Sequence, residues 1–229
     1  FKINIILELW LTTMSHNKNI KISIITAVFN RKDTIEQCIL SILNQDYIDL
    51  ECVLQDGNSN DGTIEKIESF KDERIILESF TDNGIYDAIN KGISRSSGEI
   101  IGLMHSDDYF PNKSILGKVC KAFEDPNVDG VYGDLDYVSA INDEQIVRKW
   151  KSGEYVKENL KIGWMPPHPT LYLRRYVYEN FGLYDTKYKI AADYDAILRY
   201  LIKGNIKLKY IPETFVKMRT GGISNKNFK

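Results

Sequence analysis

Along the first half of the chain, short continuous apolar runs alternate with stretches in which apolar residues recur every three or four positions. Lys21–Val28 (KISIITAV) is a β-branched apolar run and reads as a buried strand. Asp33 then precedes Thr34, Ile35 and Glu36, a capping-box arrangement with Asp33 at the cap. Ile35, Ile39, Ile42 and Leu43 follow on one helical face, which predicts a helix to about Gln45. Leu50–Leu54 predicts a second strand, Thr63–Phe70 a short helix and Arg74–Ser79 a third strand. Ile85, Ile89 and Ile93, with Ala88 and Gly92 on the same face, predict the next helix. Glu99–Met104 predicts a fourth strand, ending at His-Ser-Asp-Asp.

Strands that alternate with helices pair in parallel through right-handed crossovers. The expected class is therefore α/β, in three layers around a mostly parallel central sheet. The remainder is more mixed. Gly130–Val138 and Ile146–Trp150 read as strands. Arg174–Phe181 reads as a helix closed by Gly182, and Asp193–Ile202 as one closed by Gly204. Ile206–Ile211 and Phe215–Met218 read as two late strands. With no repeat or Pro/Gly-rich linker, residues 20–229 are expected to form a single domain.

Residues 1–19 are expected to be a flexible or non-native lead-in. The run FKINIILELWLTTM is far short of the ~20 residues that span a bilayer, contains Glu8 and lacks a cleavage signature. Met14 resembles a natural start, which makes residues 1–13 an upstream lead-in; an interfacial anchor is the alternative.

Composition narrows the function more than the fold. The formal net charge of −2 leaves no strongly basic field, so nucleic acid is not an expected partner. Cys38, Cys52 and Cys120 form no Cys-x-x-Cys pair and read as small apolar residues in a reducing compartment. Arg174, Arg175, Arg199, Lys203, Lys207 and Lys209 tint the last third basic. They read as solvated faces, or as a means of approaching anionic lipid.

The candidate chemistry lies at strand ends. Asp56 follows the second strand, and Asp107 and Asp108 follow the fourth. In open α/β sheets, ligands bind outside the carboxyl ends of the strands, so both acidic groups are expected to face one crevice. Such a crevice repels a bare diphosphate, and a hard cation, Mg²⁺ or Mn²⁺, reconciles the two. A Ser-Asp-Asp segment taken alone is equally a solvated turn. Asp61 reads as a cap for the helix at Thr63, whereas Asp56 has no evident structural duty.

SIITAVFNRKDTIEQCILSILNQDY, VLQDGNSNDGT and DNGIYDAINKGISRSSGEIIGLMHSDDYF, in that order, resemble the family 2 glycosyltransferases with the GT-A fold. The similarity runs on through VYGDLDYV, PHPTLYLRR, AADYDAILR and MRTGGIS, and the VYGD and PHPT segments resemble enzymes of surface-polysaccharide assembly, such as colanic-acid-type transferases. The resemblance implies that Thr26, Val28 and Asn30 begin the nucleotide pocket. It implies that Asp56 accepts a hydrogen bond from the base, and that Asp82, Gly84 and Asn90 line the nucleotide and donor side. Asp107 would contact ribose or metal, and Asp108 would ligate the metal. His105 stands where many relatives carry an acid or Asn; it suits Mn²⁺ better than Mg²⁺, or donates a hydrogen bond near the phosphates.

The family's Glu-Asp base motif is represented by Ala192-Asp193, which implies that Asp193 deprotonates the acceptor, with Asp195 the competitor. Residues two apart on a helix do not share a face, so only one of the two can point into the site. Arg219, with the following glycines, resembles a loop that closes on donor phosphates, and His168 falls on the acceptor or phosphate side. The implied activity is metal-dependent inverting transfer from a nucleotide-sugar, expected to be UDP-linked, to a glycan or lipid-linked acceptor. Its expected place is cytoplasmic, with a possible peripheral contact at the inner membrane face. The alternatives are a non-catalytic nucleotide-sugar or glycan-binding module and a sugar nucleotidyltransferase.

Overall fold

The computed structural model describes residues 20–221. The lead-in over residues 1–19 and the Gly222-Ile223-Ser224 part of the expected closing loop lie outside the described residues. β1 (Ile22–Val28), β2 (Leu50–Asp56), β3 (Ile75–Ser79) and β4 (Ile100–Leu103) are all parallel, in the order β3-β2-β1-β4. β1 and β2 are buried along both faces, which is why they read as continuous apolar runs rather than alternating ones.

Two helices cover opposite faces of this half. α1 (Ile35–Leu43) packs with Ile22, Ile24, Leu50, Cys52 and Leu54. α3 (Ile85–Arg95) sets Ile89 and Ile93 against Ile25, Val53 and Ile101 on the other face. Gly92 brings α3 unusually close, since a Cβ there would stand 2.5 Å from the Ile25 Cγ2. α2 (Thr63–Glu68) is the short connection between β2 and β3.

The expected Asp33 cap is not formed. The N-cap of α1 is Thr34, with no side-chain capping bond, and its hydroxyl instead donates across to the Ser106 carbonyl at 3.0 Å. That bond ties the start of α1 to the loop after β4, so Thr34 serves the site rather than its own helix.

The second half of the sheet is mixed, as the sequence leads one to expect of the C-terminal part. β7 (Tyr172–Arg174) runs antiparallel to β4 and to β5 (Gly130–Val138), and β6 (Ile146–Trp150) runs antiparallel to β5. β8 (Leu208–Arg219) is parallel to β5 and is one long strand, not two. Its register with β5 shifts between Tyr132/Asp134 and again between Asp134/Leu135, which places Pro212 in a bulge where no ladder N–H is required.

β7 is a narrow seam. Ile100↔Arg174 and Ile101↔Leu173 join it to the parallel half; Gly130↔Leu173 and Val131↔Tyr172 join it to the mixed half of β5, β6 and β8. The Tyr172 ring lies over Gly102, where a Cβ would approach within 2.3 Å.

α4 (Ile115–Phe123), absent from the sequence reading, packs under β5 and adds Ile115, Leu116, Val119 and Phe123 to the α1 side of the core. α5 (Arg175–Phe181) ends at Gly182 as expected, with φ 85°. α6 (Ala192–Leu198) passes into one π-helical turn, Arg199–Lys203, closed by a Gly204 N–H donating to the Arg199 carbonyl.

The arginines of the last third are not solvated faces. Arg174 donates to the carbonyls of Phe123, Asp125 and Val128. Arg175 donates to the Gly98 carbonyl and the Ser96 hydroxyl. Arg199 binds the carbonyls of Phe181, Gly182 and Leu183 at the end of α5. Lys203, Lys207 and Lys209 remain exposed. Among the described residues, no helix is long and apolar enough to cross a membrane.

Candidate active site

The chain leaves β1 for β2 and β3 on one side, then returns to place β4 on the other side of β1. The carboxyl ends of β1 and β4 therefore form a topological switch point, where neighbouring connections diverge and open a crevice. The segments at this point are Val28–Asn30 and Met104–Asp108. The Met104 N–H donates to the Ile25 carbonyl at 3.0 Å, and the Asp108 N–H to the His105 carbonyl, so the acidic segment is a tight turn off β4.

Asp108 is 1% exposed. Its Oδ1 accepts the Arg219 backbone N–H at 3.1 Å, while Oδ2 is buried with no hydrogen-bond partner. Burial, and next the charge of Asp107, push the Asp108 carboxyl well above the usual carboxylate range. An orphaned buried carboxylate oxygen at a switch point fits a hard cation whose other ligands are water and phosphate. Among the described residues, no group of three or more His, Cys, Asp or Glu side chains converges. The fit is thus to a site of one or two carboxylates, Asp108 with half-buried Asp107, rather than to a closed protein cage.

One strand further out, Asp56 ends β2. The sequence reading gave it no structural duty; the structure does. Oδ2 accepts the Ser59 N–H at 2.9 Å and the Ser79 hydroxyl at 2.6 Å, and Oδ1 accepts the Ser59 hydroxyl. The Asn30 N–H donates to the Ser59 Oγ, and Asn30 Oδ1 accepts the Asn60 N–H. Asp56 is thereby the buried anchor of the loop forming this wall. Thr26 and Val28 are buried beneath it, so of that trio only Asn30 is partly exposed. Phe29, between them, is 58% exposed.

Asp82 Oδ1 accepts the Gly84 N–H, and its Oδ2 lies against Gly57, where a Cβ would stand 2.7 Å away. Asp61 is not the cap itself, which is Gly62 at φ 95°, but stands one residue before it and accepts the Thr63 N–H at 3.0 Å at the head of α2.

Asn90 holds a wall rather than facing the crevice. Its amide donates to the Tyr184 carbonyl at 2.8 Å and accepts the Tyr184 N–H at 3.0 Å. Tyr184 in turn shares a 2.9 Å hydrogen bond with His168 Nε2. The His168 Nδ1 lies 3.9 Å from Asp193 Oδ2, and Asp193 Oδ1 accepts the Tyr86 hydroxyl at 3.1 Å. Asp195 points elsewhere, bound to Arg199 at 3.0 Å.

His105 stands between the two acidic centres. Its ring centroid is 6.3 Å from that of His168, and it feels the charges of both Asp107 and Asp193. Burial is the larger effect and lowers the pKa of both histidines, His168 to about 4. Both rings are therefore neutral near pH 7.

Arg219 is not free to meet a phosphate in this conformation. Its guanidinium donates to the Asp107 carbonyl, Gln37 and Asp143, and lies 5.0 Å over the Tyr109 ring. Gln37, Asp143, Tyr86 and Tyr184 are members of the site that the sequence reading did not single out.

A family model described as Glycosyl transferase family 2 matches residues 23–182. A PGL/p-HBAD biosynthesis glycosyltransferase of Mycobacterium tuberculosis is 28% identical over 208 residues, covering 89% of this chain and 78% of the relative. An uncharacterized glycosyltransferase of Nostoc is 29% identical over 218 residues, 90% of this chain and 66% of that one. Among solved structures, S. aureus TarS 1–349 superposes with a TM-score of 0.69 at 20% identity, over 87% of this chain and 60% of that one. The mannosyltransferase PcManGT of Pyrobaculum calidifontis, in complex with GDP-Man and Mn²⁺, gives 0.69 at 18% identity, over 91% and 59%. The chain thus spans about 60% of the length of these two structures, and at such identities they establish the shared GT-A fold. The family match covers most of the chain, including the turn that carries Asp107 and Asp108, and on it the chain belongs to glycosyl transferase family 2.

Proposed function

We propose that the chain catalyses inverting transfer of a sugar from a nucleotide-sugar, UDP-linked in our reading, to an acceptor hydroxyl in polysaccharide or glycolipid assembly. The observation that carries this reading is the unpartnered Asp108 Oδ2 at the switch point, with His105 close enough to feel the charges of both Asp107 and Asp193. TarS is known with UDP and with UDP-GlcNAc, and PcManGT with GDP-Man and Mn²⁺, which supports a donor of this class.

In this reading the nucleotide lies along the carboxyl ends of β1 and β2. Phe29 offers a face to the base, and Asp56 accepts its ring N–H in place of the Ser59 hydroxyl. Asp108 and Asp107 hold Mg²⁺ or Mn²⁺, which when bound offsets charge growing on the leaving diphosphate. The Arg219 backbone N–H fixes the Asp108 oxygen that is not offered to the metal. Asp193 removes the acceptor proton as the acceptor oxygen attacks the anomeric carbon. The neutral rings of His105 and His168 separate the two carboxylate centres without adding positive charge. The acceptor we favour is a glycan or lipid-linked sugar met at the cytoplasmic membrane face. The exposed Lys203, Lys207 and Lys209 are the charges available for that approach.

The test is calorimetric binding of UDP, GDP, CMP and dTDP, each with Mn²⁺ and with EDTA. The reading expects one nucleotide to bind in Mn²⁺ and to lose at least tenfold in affinity with EDTA. Absence of binding by all four, in a protein shown to be folded, would overturn the donor site.

A further inference from the structure

Asp193 opens α6, and nothing local holds it. The N-cap is Ala191, in the left-handed region at φ 67°, with no side-chain capping bond. The side chain is reached from 107 residues away, where the Tyr86 hydroxyl donates to Asp193 Oδ1 at 3.1 Å. The same ring stacks on Tyr184, with centroids 5.8 Å apart and planes at 26°. Tyr184 is locked by Asn90, one helical turn beyond Tyr86 on α3, and shares its hydroxyl with His168. Tyr86 and Asn90 at i and i+4 thus fasten two successive parts of the acceptor side to a single helix face.

We propose that Tyr86 is the positioning residue of the acceptor side, fixing one Asp193 oxygen so that the other is presented to the acceptor hydroxyl. This rests on Asp193 being the base. A carboxylate is free to rotate about its Cβ–Cγ bond, and a base that must meet one proton loses rate when its oxygens exchange places. The Tyr86 bond removes that freedom on one side, and His168 Nδ1, 3.9 Å from Oδ2, leaves the second oxygen without a close donor.

The test compares Tyr86→Phe, Asp193→Asn and the double variant of the full chain. Donor-site integrity is read as Mn²⁺-dependent UDP affinity. Turnover is read as sugar release to water from whichever of UDP-GlcNAc, UDP-glucose or GDP-mannose the unaltered chain consumes. Tyr86→Phe keeps the ring on Tyr184, so the fold is retained. It should lower kcat about ten- to a hundredfold, the effect of one hydrogen bond to a charged group, with UDP affinity and donor KM within about twofold. Added to Asp193→Asn it should cost nothing further, because its effect passes through that carboxylate. Unchanged kcat in Tyr86→Phe, or an equal loss on top of Asp193→Asn, overturns the positioning role and leaves the base intact. Near-normal kcat in Asp193→Asn itself, or no consumption of any of the three sugars, overturns the base reading, and this proposal falls with it.

Discussion

Asp108 combines two demands that pull against each other. Its carboxylate is buried beside Asp107, with one oxygen unpartnered, an arrangement that favours a cation and disfavours the metal-free fold. Asp108→Asn keeps an oxygen for the Arg219 N–H and removes the charge. It should therefore raise the melting temperature of metal-free protein by a few degrees, while weakening Mn²⁺-dependent nucleotide binding at least tenfold. A drop in melting temperature with unaltered binding would show that the carboxylate serves only the fold. His168 carries a pH signature. Its folded pKa, lowered to about 4 by burial, lies below the ordinary value near 6.5 that the unfolded chain recovers. Between those values the unfolded chain binds more protons, so stability is full above about pH 6.5 and falls as the pH is taken toward 4. Melting curves across that range should show the fall, and His168→Gln should flatten part of it. The carboxylates were legible because each stands at the end of an apolar run or in an ordered motif. Tyr86, Tyr184, Gln37 and Asp143 were not, since their partners lie far along the chain. The Tyr86–Asp193 bond spans 107 residues and the Gln37–Arg219 contact 182.

At the scale of elements, periodicity located β1 to β5 and the helices α1, α2 and α3, because each packs a face that its sequence repeats, while β6 was found from its β-branched start although it stays largely exposed. It failed where packing overrode local signals. α4 has its apolar residues at helical spacing, but Gly117 sits mid-run and Pro111 and Asn112 precede it. β7 is three residues long, too short for any periodicity, and only its last residue, Arg174, was read, as the start of the helix that follows. β8 was divided because Pro212 interrupts its pattern, whereas a bulge keeps the strand whole. The capping box at Asp33 misled for a different reason, since Thr34 is bound to the loop after β4. β4 tolerates little at its glycine. Gly102→Ala would push a methyl into the Tyr172 ring, and should cost about 1–3 kcal/mol in denaturant unfolding. A cost within 0.5 kcal/mol would mean that Tyr172 moves aside freely.

Across the whole molecule, the sheet divides at β7 into a parallel half that carries Asp56, Asp107 and Asp108, and a mixed half whose last strand, β8, comes after α5 and α6, the helix that carries Asp193. The alternation of elements in the first half made its architecture readable. The second half follows no comparable rule, because apart from the β5–β6 hairpin its strands pair across long intervals and the pairing leaves little trace in local pattern. Its four register pairs also make the seam a spacer. A sugar can be handed over only if the donor's anomeric carbon and the acceptor's oxygen come within bonding reach. On the proposed function, Asp107 and Asp108 follow a strand on one side of this seam and Asp193 follows the seam strand in the chain, so a methyl added at Gly102 under the Tyr172 ring should shift their separation and lower kcat along with stability.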